Sequence, residues 1–132
     1  MSADSRPEIQ PIANLVITDP TGQVLLVRYG ARDDDRYWLP GGDLEPYEHP
    51  EAAARRVTAE LGLVAESLRL SHVDSFRGRR GWHLVFHYQI SATGNVAPDL
   101  EPFWAAPEAL PPTVHGKWEQ DAVRTVLQPS AT

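Results

Sequence analysis

With 132 residues and 42% hydrophobic side chains, the chain has material for one core and too little length for two domains of ordinary size. A net charge of −6 argues against general nucleic-acid binding, which draws its affinity from many phosphate contacts. No cysteine and no long apolar run occur, so a disulfide framework, a signal peptide and a membrane-spanning helix are not expected; a single soluble, cytoplasmic domain over 9–128 with flexible tails at 1–8 and 129–132 is.

In chain order, Ile12 to Thr18 and Gln23 to Tyr29 are β-rich runs joined by the turn residues Asp19-Pro20-Thr21-Gly22, which predicts a hairpin. Asp33-Asp34-Asp35-Arg36 reads as a charged loop, followed by a short strand at Tyr37-Trp38-Leu39. Pro40 and the glycines Gly41 and Gly42 then allow a sharp turn and a close backbone approach to a ligand. His49-Pro50-Glu51 opens a helix, because proline suits the first helical position and an acid favours the positive end of the dipole. Ala53, Val57 and Leu61 share the stripe expected to be buried, Arg56 and Glu60 stand one turn apart, and Gly62 ends the helix.

Strands are expected at Leu68 to Phe76 and Trp82 to Ile90, linked by Arg77-Gly78-Arg79-Arg80-Gly81. In the second, Trp82, Leu84, Phe86 and Tyr88 fall on one face and His83, Val85, His87 and Gln89 on the other. A turn at Ala92 to Asn95, a short strand near Pro102 to Ala105, a helical turn at Pro107 to Pro111 and a final helix from about His115 to Leu127 complete the pass. Mixed strands with helices in the middle and at the end predict an α/β sandwich.

The run from Gly42 to Leu63 resembles the Nudix box, G-x5-E-x7-R-E-U-x-E-E-x-G-U with U aliphatic. From the C-terminal end the match is Arg55, Val57, Glu60, Gly62 and Leu63; from the N-terminal end it is Gly42 and Glu48. The two anchors are one residue out of step, which suggests a deletion near His49-Pro50 and makes Arg55 the expected partner of Glu48. Taking Arg56 as the box arginine instead puts Val57 and Leu61 at carboxylate positions. Trp104 to Pro111 is also similar to the family's W-x-x-x-x-E-L-P stretch, with Ala109 inserted.

The resemblance implies an α/β/α sandwich with a mixed sheet between helices, and hydrolysis of a nucleoside diphosphate linked to another group. It also implies Mg2+ or Mn2+ held by box carboxylates, which activate water. Here Arg56 and Ala59 replace two of three carboxylates and Glu60 alone remains, possible only with help from an outside acid such as Asp99 or Glu101. One carboxylate is a poor magnesium site, and Arg56 is a permanently charged side chain able to balance phosphate in place of an ion.

Candidate catalytic residues are therefore Glu60, Glu48 and Arg56. Candidate ligand contacts are Gly41, Gly42, Tyr47, Trp38, His83, His87 and Arg77, with Trp104 as a further wall. Trp118 is expected to pack in the core. Three function classes follow: a metal-dependent hydrolase, a binding module for a phosphate-containing small molecule without metal, and a repurposed enzyme using acid–base chemistry through His83, His87 or Glu48.

Overall fold

The computed structural model describes residues 9–29, 36–78 and 81–128. The two tails, Asp33 to Asp35, and Arg79 and Arg80 lie outside the described residues. The elements are β1 (Ile9–Thr18), β2 (Val24–Leu26), β3 (Gly41–Asp43), α1 (Pro50–Glu60), β4 (Leu63–Gly78), β5 (Gly81–Gly94), β6 (Phe103–Ala105) and α2 (Lys117–Leu127).

β1 organises the sheet. It runs parallel to β5 along its whole length, and on its other edge pairs antiparallel with β3 near its start and with β2 at its end. The strand order is β4-β5-β1-β2-β6, with β3 attached to β1. Because helices cover both faces, β1 reads as a near-continuous apolar run instead of an alternating one. Ala13, Leu15 and Ile17 join the core under α1, where Ala53, Ala54, Val57 and Leu61 pack. Val16, with Val24, Leu26 and Leu39, meets Ala122, Val123 and Val126 of α2. The mixed sheet between two helices is the sandwich expected from the sequence. Among the described residues no helix is long and apolar enough to cross a membrane.

α1 starts as its sequence predicts: His49 caps it, its Nδ1 accepting from the Glu51 N–H at 3.1 Å, with Pro50 in the first turn. Gly62 ends it at φ +93°, where a Cβ would sit 2.7 Å from the Asn95 carbonyl oxygen. Other expectations give way to strand pairing. The glycine segment is not a free loop but β3, and a Cβ on Gly41 would meet the Ala13 carbonyl oxygen at 2.5 Å, so this glycine serves close strand packing. β4 begins at Leu63, and the expected turn at Ala92 to Asn95 is still strand as far as Gly94, because Ala92, Thr93 and Gly94 pair with Ala65, Val64 and Leu63. Tyr37 to Leu39 forms only two bridges, Val27 to Trp38 and Tyr37 to Thr113. Ala106 to Ala109 closes a hydrogen-bonded turn and not a helical one.

Candidate functional site

Arg56 is the hub of the loop that leads into α1. Its Nε and Nη2 donate to the two carboxylate oxygens of Glu48 at 2.9 and 3.0 Å, the paired fork geometry that suits guanidinium best. Nη2 also donates to the Asp43 carbonyl at 3.1 Å, and Nη1 faces Glu60 at 3.3 Å. Glu45 stands 3.5 Å from Nε. Glu48 is itself fixed, accepting the Glu45 N–H at 2.9 Å, and the Arg56 hydrogen bonds hold its carboxyl below the usual carboxylate range. The guanidinium thus spends its donors on the chain, stitching loop to helix.

A cavity of about 580 Å³ opens on the α2 side of the sheet. Its walls are Trp38, Trp118, Tyr29 and Phe76, its floor includes Ile12, Val85, Gly41 and Gly42, and its polar groups are Asn14, His115 and Glu119. No arginine or lysine lines it among the described residues. Glu119, in the first turn of α2, is 1% exposed. Its Oε2 accepts the His115 N–H at 3.2 Å, while Oε1 has no hydrogen-bond partner among the described residues. Burial pushes its carboxyl above the ordinary value. A buried acid with a free oxygen, set among aromatic rings, can donate or accept a hydrogen bond to a ligand and can exchange a proton with it.

The sequence matches the NUDIX domain over residues 8–126. The chain belongs to the NUDIX family. Solved structures agree on the fold. A MutT NUDIX hydrolase from Burkholderia pseudomallei superposes with a TM-score of 0.71 at 21% identity, covering 90% of this chain and 98% of that one. The NUDIX domain of Shewanella oneidensis NrtR, complexed with ADP ribose, gives 0.67 at 18% identity and covers 93% and 92%. A C. elegans Ap4A hydrolase gives 0.66 at 15% identity and covers 89% and 96%. No curated protein matches the sequence.

Within the Nudix box the structure corrects the register. The partner of Glu48 is Arg56, not Arg55, which is exposed and pairs with Glu51 at 3.3 Å. The E-x7-R spacing from Glu48 therefore holds through Arg56, and the missing residue falls between Arg56 and Gly62 instead of at His49-Pro50. The residue after the box arginine is then Val57, 6% exposed in the core, and the residue after Glu60 is Leu61, 4% exposed. The family's divalent ion does not fit this helix: the donor set is a single exposed glutamate already engaged by a guanidinium, flanked by buried aliphatic side chains. Glu101 is not brought to Glu60 but pairs with Arg28, and Asp99 lies in a short 3-10 turn.

Of the expected ligand contacts, Trp38, Gly41 and Gly42 line the cavity. Tyr47, with φ 64°, is fully exposed and is not among the residues lining this cavity, and Trp104 packs against the α1-side core. Arg77 sits across from Trp82 near the tip of the β4–β5 hairpin. His83 and His87 do fall on the α2 side, but His83 stacks on Phe76 at 4.8 Å and His87 is wholly buried behind Trp118, whose ring is 5.6 Å away. Both stand behind the cavity wall, not in it. Trp118 itself, expected in the core, is a wall. Glu119 and His115 were not singled out from sequence; the available signal was an acid on the apolar stripe of α2, three residues before Ala122.

Proposed function

We propose that this Nudix domain recognises a nucleotide-derived small molecule in the α2-side cavity, without a magnesium centre on its box helix. The observation that carries the reading is Glu119, a fully buried carboxyl among the residues lining an aromatic-walled cavity, with one oxygen that has no hydrogen-bond partner among the described residues. Leaving a buried polar atom unpaired costs free energy, which a ligand donor or acceptor recovers on binding. A planar ring with hydrogen-bonding edges, such as a nucleobase, matches walls of tryptophan and tyrosine. Among the described residues no lysine or arginine joins the lining, which favours the ring inward and any phosphates outside, beyond Gly41 and Gly42. The ADP ribose in the complex of the Shewanella neighbour supports the same class of molecule.

In this reading the box is a brace. Glu48 and Arg56 hold the entrance rather than the phosphates, and Glu60 contributes to that charge cluster. A second reading, acid–base chemistry on the bound molecule, is favoured by one observation: the raised Glu119 carboxyl contacts the His115 backbone, and both residues line the cavity. The deciding experiment is calorimetry with a panel of nucleotides and sugar nucleotides, in chelator and in excess Mg2+, with chromatography of the same mixtures for products. Equal binding in both buffers without hydrolysis is expected. Turnover that requires Mg2+ and is lost in Glu60→Gln overturns the reading in favour of pyrophosphate hydrolysis, and product formation in chelator that is lost in Glu119→Gln favours the second reading.

A further inference from the structure

On the strands β4 and β5, behind the cavity wall and on the sheet face opposite α1, three side chains converge. His87 Nε2 lies 3.3 Å from Asp74 Oδ2, and His72 Nε2 lies 3.7 Å from the same oxygen. One ligand atom from each residue falls within 4.8 Å of the other two. Tetrahedral coordination at bond lengths of about 2.0–2.2 Å separates neighbouring donors by roughly 3.3–3.6 Å, so the His87 spacing is that of ligands around one ion and the His72 spacing of 3.7 Å lies just beyond it. We propose that His72, Asp74 and His87 bind a single divalent transition-metal ion of the zinc class.

Two further observations support this assignment. Each imidazole has its other nitrogen occupied: Ser71 Oγ is 2.9 Å from His72 Nδ1, and the Asn14 amide is 3.1 Å from His87 Nδ1. Metal-bound histidines are oriented in this way, with the distal nitrogen held by a neighbouring group. His87 Nε2 is also a buried polar atom without a hydrogen-bond partner of good geometry, on a side chain that is 0% exposed. An ion would satisfy it. With the Asn14 nitrogen toward Nδ1, the proton of the neutral ring sits on Nε2; the reversed amide places its oxygen there, moves the proton to Nδ1 and frees the Nε2 lone pair.

The donor set fixes the class of ion. Two imidazoles and one carboxylate suit Zn2+, Co2+ or Ni2+, and are poor ligands for Mg2+, which prefers oxygen. The two rings are stacked at 4.3 Å and nearly parallel. His87 is locked by burial, so His72, half-buried on the sheet edge, turns about its ring bond to bring its lone pair in and gives up its present contact with Ser71 Oγ. The bound ion then clamps β4 to β5 where the strand register shifts between Leu70 and His72. Three protein ligands leave a fourth position for water.

The test uses tag-free protein stripped with chelator and titrated with Co2+ and Zn2+. One Co2+ per chain is expected, with the visible absorption of a four- or five-coordinate ion that Zn2+ displaces, and with a rise in melting temperature. His72→Ala and Asp74→Ala change residues that are not deeply buried and should keep the far-UV spectrum; each is expected to weaken metal binding at least about tenfold and to abolish the rise. Absence of Co2+ binding, several weak equivalents, or one equivalent unchanged in both variants overturns the proposal. Because neither residue lines the cavity, the nucleotide panel measured on the same variants fails or succeeds independently of the metal result.

Discussion

The two sides of this domain use charge in opposite ways. At the box, one guanidinium meets Glu48, Glu60, Glu45 and a backbone carbonyl, so its donors all find partners within the chain. Across the sheet, Glu119 is buried with one oxygen unpartnered and, among the described residues, no arginine or lysine in the cavity lining. A region whose polar groups all have partners gains little from a ligand, whereas one with an unsatisfied buried group gains a great deal. The family's signature segment is thus the more settled part of the molecule, and the chemically open part lies where no signature marks it.

The largest effect expected from perturbing this contrast is at Gly41, where both regions meet. Gly41→Ala drives a Cβ to 2.5 Å from the Ala13 carbonyl oxygen, and overpacking of this kind costs about 1–3 kcal/mol. Denaturant unfolding should show that loss, while Gly42→Ala, with only Val57 Cγ2 at 3.6 Å, should unfold near the wild-type midpoint.

Next in size is the choice of arginine. Arg56→Ala leaves Glu48, 13% exposed, without its partner and should lower the melting temperature by many degrees, whereas Arg55→Ala on the exposed side of the helix should leave it nearly unchanged. Equal losses in the two variants would return the brace to Arg55. The pH dependence follows the same pair. The Glu48 carboxyl is held low by Arg56, so its stabilisation is complete above the ordinary carboxylate value near 4.5 and disappears as pH falls through the lowered one. Glu48→Gln should lower stability at pH 7 and flatten that acid limb.

A smaller, opposite effect is expected at Glu119. Burial raises its carboxyl, so the folded chain holds a proton that the unfolded chain has released, and stability falls as pH rises from the ordinary value toward the raised one. Glu119→Gln should therefore raise the melting temperature at pH 7 by a few degrees while weakening ligand binding about tenfold or more in calorimetry. A variant that binds the panel as the wild type does would remove Glu119 from the site.

A further effect, confined to acid pH, belongs to His87 in metal-free protein. Its imidazole takes a proton near 6.5 when unfolded and only near about 4 when folded, so stability declines as pH falls through that window. Added Zn2+ should steepen the decline if the ion competes with protons for the ring, which melting curves at several pH values would register.

Sequence alone determined the elements whose causes are local. Pro50 after His49 and Gly62 beyond the last turn bounded α1, the Asp19 to Gly22 turn joined β1 to β2, and the alternation in β5 put His83 and His87 opposite Phe86 and Tyr88. The run from Gly42 and Glu48 through Glu60, Gly62 and Leu63 was enough to place the family. Tertiary structure decided what depended on distant partners. The choice between Arg55 and Arg56 turned on which guanidinium points back at Glu48, and a one-residue shift rotates a helical side chain by about a quarter turn. Gly41 became a strand because Asn14 was there to pair with it. Glu119 looked like one more acid in a helix until the fold enclosed it, since burial of a polar side chain is a property of what packs around it and not of its neighbours in the chain.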